Sequence, residues 1–371
     1  MTKKLIKLGR IALSILLIWG WYKGFMALLD VHYTRFPELH ETQINLWLVY
    51  LPLACCFLLT LLPIAAIGLA SGYKLHRIHW LFLEITKPDQ LRVRWTTKPG
   101  WSVRLLPPRT DGTSPYVLYW CSTLLIFAAF AAILGVLLVI CWCTPAARYL
   151  IIDFPAVLLW ALLMPVLPTR NNPVDRILAF RKSRDLRRAW ECNLHLIAEM
   201  EKKTKLAKMP EEWFLPYPEE LKDDPLVMYA NFNRSAWLIS QDRYAEGYEG
   251  LRYFFDLTPA PKTHSMIAMA ILNGAVCEAL GEDENGAKLP PMCMSQLDHP
   301  SLKLPLPPAW EAQRLQAEYA RALFLHHDEA EAAAILPKWE AALDKAGRDR
   351  EGVEKLQRKA GLLTDEEGEQ A

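Results

Sequence analysis

At 371 residues the chain has room for two units that each bury a core, and its 42 Lys and Arg offset 41 Asp and Glu to a formal net charge of +1. The balance hides a division between basic loops in the first half and an acidic tail end, and nothing in it suggests a nucleic-acid groove. The eight cysteines include no CxxC pair; they read as buried free thiols, with zinc or a bridge as the lesser alternative.

Long apolar segments fill residues 11–29, 46–70, 116–143 and 149–166. A bilayer core of about 30 Å is crossed by about 20 apolar residues in a helix. The spacing therefore predicts an all-α polytopic membrane domain over residues 1–170 with about four crossings and a basic loop at 71–115. A juxtamembrane helix is expected over 171–208 and a cytosolic helical domain over 209–371. MTKKLIKLGR opens like a signal sequence. The apolar run after it continues too far and lacks a small-residue cleavage site, so an uncleaved first crossing is expected.

Charge sets the orientation. Lys3, Lys4, Lys7 and Arg10 precede the first span, whereas the 30–43 loop holds Arg35 against Asp30, Glu38 and Glu41. The 71–115 loop and the segment after the fourth span, from Arg170 to Arg188, are again basic. Basic loops stay inside, so both termini are expected on the cytoplasmic side of a bacterial cytoplasmic membrane, in contact with its lipids. Trp47, Trp80, Trp120 and Trp142 fall near the predicted interfaces. Lys23 and Asp153 lie at similar depths inside spans; they either pair or snorkel separately to the headgroups.

Within the basic loop, residues 90–108 alternate as Leu91, Val93, Trp95 and again Trp101, Val103, Leu105. This pattern predicts a small cytoplasmic β-hairpin turning at Lys98–Pro99–Gly100. Its arginines either touch anionic lipid or serve only as the positive-inside signal. His76 and His79, in GYKLHRIHW, would share one face if the segment were helical, and are weak metal candidates. No acid lies beside them, and Glu84 is the first to follow.

GYKLHRIHW after an apolar helix, GWSVRLLPPRTDGTSPYVLYW, TRNNPVDRILAF and KMPEEWFLPYPEELKDDP together resemble the site-2-protease-type intramembrane zinc metallopeptidases, specifically bacterial members with a helical, tetratricopeptide-like cytosolic tail. The resemblance covers residues 45–280. It implies a membrane scaffold whose catalytic helix carries HExxH shortly before the loop glycine. The matching places here are Thr60, Leu61, Leu62, Pro63 and Ile64. Zinc hydrolysis needs three protein ligands and a base for the bound water, and these residues supply neither. The family's later aspartate ligand would correspond to Asp175. The same stretch reads equally as a helix start, with Asn172 as N-cap, Pro173 at the first position and Asp175 in the first turn.

From Val174 the apolar period is helical through Leu186, Trp190, Leu194 and Ile197, with Arg181, Lys182, Arg184, Arg187 and Arg188 near the headgroups. After a proline-rich break, helices are expected at 226–240, 244–255, 264–280, 309–326, 328–345 and 353–360, the fifth with Pro337 inside it. They read as degenerate repeats in a small solenoid or bundle, or as a plain helical domain with no groove. Tyr244, Tyr248 and Arg252 are the partner-binding candidates.

The resulting expectation is a noncatalytic scaffold or adaptor without a cofactor, binding a protein through its cytosolic helices. The alternatives are an active metalloprotease, with zinc on Asp175 and His76 or His79, and a small-solute transporter or channel component.

Overall fold

With no internal proline, and an apolar stretch from Ile11 to Leu29 that carries a charge only at Lys23, α1 runs from Thr2 to Arg35, 34 residues, about 51 Å of helix. The computed structural model describes residues 2–40, 61, 63–87, 91–145, 147–163, 166–167, 172–258, 263–303, 310–346 and 349–363. The chain divides into two units, Met1–Ala198 and Glu199–Ala371.

In the first unit, Leu8–Arg35 of α1 and Tyr119–Cys141 of α2 (Val117–Cys141) are long and apolar enough to cross a membrane, by length and composition. α3 (Ala147–Leu163) is a shorter apolar helix of 17 residues containing Pro155. Of the expected second span only 61 and 63–70 are described, and they are helical; Trp47, Thr60 and Leu62 lie outside the described residues. α2 and α3 pack through Phe127, Ala131, Leu134 and Val157. Phe25, Leu28 and Leu29 of α1 pack on Leu138, Ala147 and Ile151. Lys23 is exposed while Asp153 is 1% exposed. No ion pair joins them among the described residues, so the pairing alternative falls.

The expected hairpin over 90–108 is corrected. The strands are β1 (Lys74–Thr86) and β2 (Arg92–Leu106), antiparallel from Lys74↔Leu106 to Thr86↔Arg92. Lys98–Pro99–Gly100 makes no hairpin turn. Leu81 pairs with Gly100 and Leu83 with Trp95, so residues 96–99 bulge opposite Phe82. Proline has no N–H for a ladder and is tolerated at such bulges. Thr96 pins the bulge, its hydroxyl reaching the Phe82 and Lys98 carbonyl oxygens at 3.2 and 2.9 Å. The segment around His76 is strand, with alternating Ile78, Trp80 and Phe82 favouring the pleat.

The single juxtamembrane helix is also corrected. α4 (Pro173–Lys182) and α5 (Arg184–Glu201) are separate, broken at the extended Ser183 (φ −134°, ψ 120°). The Ser183 hydroxyl accepts from the Leu186 N–H at 3.2 Å and so caps α5. Asn172 caps α4, its Oδ1 accepting from Val174 N at 2.9 Å and Asp175 N at 3.2 Å, with Pro173 at the first position.

The second unit contains α6 (Pro225–Ser240), α7 (Tyr244–Phe255), α8 (His264–Leu280), α9 (Glu311–Arg321), α10 (Glu329–Ala346, with Pro337 inside) and α11 (Glu351–Lys359). Asp224 starts α6 by accepting from Leu226 N at 2.8 Å. A π turn at Ala322–His326 ends α9, closed by His327 in the left-handed region (φ +54°). Eleven of the 17 residues of α8 are buried. A helix buried on most sides is a core helix; α6, α7, α9 and α11 all pack on α8. The arrangement is a bundle around α8. Gly274 permits its contact with Cys293, whose Sγ would lie 2.4 Å from an added Cβ.

Candidate functional site

The metal candidates are dispersed and engaged. The Arg10 guanidinium donates to both Asp175 oxygens at 2.8 and 2.6 Å and to the Val166 carbonyl at 2.8 Å. Both carboxylate contacts come from one nitrogen, Nη1, and arginine keeps its charge at all physiological pH. His76 is buried at the register irregularity between Leu75 and Arg77. His79 meets the Thr96 hydroxyl at 3.1 Å, and its ring lies over Gly100, where an added Cβ would fall 2.1 Å from Nδ1. The segment is strand, so the condition under which the two histidines would share a helical face is not met. At the HExxH-equivalent stretch, Leu61 is buried with 3% exposure. Among the described residues no three His, Cys, Asp or Glu side chains gather as a metal would need.

Sequence reading missed two buried carboxylates. Glu191 on α5, fully buried, accepts from the N–H groups of Gly112 at 2.6 Å and Ser114 at 2.9 Å. Gly112 has φ +81°, and an added Cβ would lie 2.5 Å from the Arg184 carbonyl oxygen. The same helix grips this loop elsewhere. Arg184 Nε donates to Asp111 O at 2.8 Å, Cys192 Sγ to Thr110 O at 3.4 Å, and His195 Nε2 meets Pro107 O at 2.9 Å. Burial pushes the Glu191 carboxyl up, opposed by its backbone donors. Trp190 beside it packs on Tyr73, Tyr119 and Phe180. This junction is structural: every polar group named in it is committed to the loop.

Glu278 on α8 is the counterpart in the second unit. It is 3% exposed and accepts from Cys293 N at 2.5 Å, Met294 N at 2.8 Å and the Tyr248 hydroxyl at 3.1 Å. Two of its donors are first-turn N–H groups of the short helix Met292–Ser295, where a negative charge is favoured. Burial pushes the Glu278 carboxyl up against these donors. Burial, then the neighbouring carboxylate, pushes the Tyr248 phenol up.

Tyr248 and Pro290–Met292 meet along one side of a cleft of ≈ 770 Å³ on the outer face of α7. Arg234, Glu246, Glu249 and Arg252 line the rest, with Asp283 and Glu284 at the rim. Glu249 holds Arg252 at 3.0 Å. Two of the three partner-binding candidates, Tyr248 and Arg252, are thus brought together. Tyr244 is not: it lines a separate hollow of ≈ 390 Å³ with Asp242, Gly281 and Lys359, and its hydroxyl donates to Asp242 at 2.7 Å. Chemically, the cleft offers charged and hydrogen-bonding groups on a fixed wall. Cys277 and Cys293 behind it are fully buried, and burial pushes both thiols up, which keeps them from acting as nucleophiles.

No protein-family model, curated protein or solved structure matches the chain.

Proposed function

We propose that the chain is a multi-pass protein of a bacterial cytoplasmic membrane, with both termini cytoplasmic, that holds a protein partner and performs no hydrolysis. Descent from an intramembrane metallopeptidase scaffold belongs to the same proposal and rests on the motifs quoted above.

The observation that carries the reading is the α7 cleft. It joins a tyrosine fixed from behind by a buried carboxylate to arginines and glutamates that face solvent. Rigid aromatic and arginine anchors inside a concavity are the groups that dominate protein–protein recognition. The Arg10–Asp175 contact supports the noncatalytic half, because the carboxylate equivalent to a metal ligand is occupied by a permanent cation.

The test is site-specific photocross-linking from position 252 of the full-length protein in membranes. A discrete adduct that disappears with Arg234→Glu is expected; no adduct, or one indifferent to the cleft, contradicts docking. Metal analysis of the purified protein addresses the other half. Stoichiometric zinc that is lost on Asp175→Ala contradicts the noncatalytic reading.

A further inference from the structure

We propose that the β1–β2 ribbon seats an apolar face in the headgroup region of an anionic bilayer. The inference goes beyond partner docking and rests on the reading of the first unit as membrane-embedded.

Directly opposed residues of an antiparallel pair share a face. Leu83 opposes Trp95 and Ile85 opposes Val93, and Leu91 continues the alternation of β2, so one face of this half of the ribbon is wholly apolar. Glu84 opposes Arg94 and Thr86 opposes Arg92 on the other face. The apolar face is open: Trp95 is 80% exposed, Val93 59% and Leu91 63%. A two-stranded ribbon has no core of its own to cover such a face.

Chemistry selects the occupant. The span from Lys74 to Leu106 holds seven basic residues against two acids. One of those acids, Glu84, is buried and held by Arg94 at 2.9 Å and Arg77 at 3.6 Å. The surplus cations include Arg92, on the opposite face of the same half of the ribbon, and Lys98, in the bulge beside Trp95. Tryptophan and aliphatic groups bordered by basic side chains suit the zone where acyl chains meet anionic headgroups. Continuity agrees: the described helical residues 63–70 end shortly before β1 begins at Lys74, so the ribbon follows directly on an apolar helical stretch.

Trp95 reports the outcome. Full-length protein and Trp95→Phe are placed in nanodiscs of phosphatidylcholine, with or without about 30 % phosphatidylglycerol, carrying lipid brominated near the headgroup. The difference between their emissions isolates Trp95. The proposal expects quenching of that difference signal, about twofold stronger with the anionic lipid, and loss of the anionic increment in Arg92→Gln/Lys98→Gln. Trp95 open to acrylamide and insensitive to bromine overturns it. So does Trp95 shielded from acrylamide yet unquenched by bromine, which identifies a protein cover. A chain that carbonate strips from membranes overturns the membrane reading and this proposal together, whereas a stably inserted chain with unquenched Trp95 overturns this proposal alone.

Discussion

α5 and α8 each bury a glutamate that grips a remote loop through two backbone N–H groups, and the two regions differ in the third partner. Glu191 holds Gly112 and Ser114 within a loop that α5 also fastens through Arg184, Cys192 and His195. The side chains of Arg184 and Asp111 there stay open to solvent but pair with each other at 3.4 Å. Glu278 holds Cys293 and Met294 and also accepts from Tyr248, a residue of the cleft wall. The same device ties down a loop in one region and backs the wall of a charged cleft in the other. What distinguishes the two is therefore that the carboxylate of α8 also fixes a cleft-wall ring, Tyr248, itself buried, behind the exposed side chains of Glu249 and Arg252.

The largest effect should come from the carboxylate with three donors. Glu278→Ala leaves two buried N–H groups and a phenol without their acceptor, a loss of about 3 kcal/mol, read as a lowered unfolding midpoint. It should also abolish cross-linking from position 252. Glu191→Ala should cost about 2 kcal/mol and leave the cross-link intact; loss of the cross-link there would erase the contrast between the regions. Gly112→Ala should match it, at about 2 kcal/mol, since φ +81° and the Arg184 carbonyl both oppose a side chain.

pH sharpens the same contrast. Burial raises the folded carboxyl of Glu278 above its ordinary 4.5, so the native state binds that proton more tightly than the unfolded chain. Its contribution to stability is then greatest below about pH 4.5 and falls as pH rises through the raised folded value. The unfolding midpoint of wild type minus that of Glu278→Gln should decline over this interval; a flat difference would show that the carboxyl titrates normally. The smallest effect belongs to Asp175→Ala. The Arg10–Asp175 pair is partly open to solvent and should contribute under about 1 kcal/mol, with metal content unchanged.

Local chemistry was legible in the sequence. The Asn172–Pro173–Asp175 helix start, the ends of α7 and α8 and the position of Gly281 follow from capping and periodicity alone. Lys98–Pro99–Gly100 did signal a break, but a missing N–H and a flexible glycine suit a bulge as well as a turn, and the pairing partner lay upstream of the stretch whose alternation was read as a hairpin. Ser183 was hidden inside a continuous apolar stripe, although Ser followed by Asp185 is a usable cap signal. Tyr248 and Arg252 were found because they share one face of α7; Tyr244, four residues before Tyr248, was not separated from them by spacing. Glu191 and Glu278 were invisible for a different reason. Their partners are backbone N–H groups 15 to 79 residues away, and every residue type carries that donor.

The most direct test of the central claim is cross-linking from position 252 in intact membranes, compared between wild type and Glu278→Ala. A single protein adduct present in the first and absent in the second is the predicted result. An equal adduct in both, or none in either, would contradict a docking cleft built on the buried carboxylate of α8.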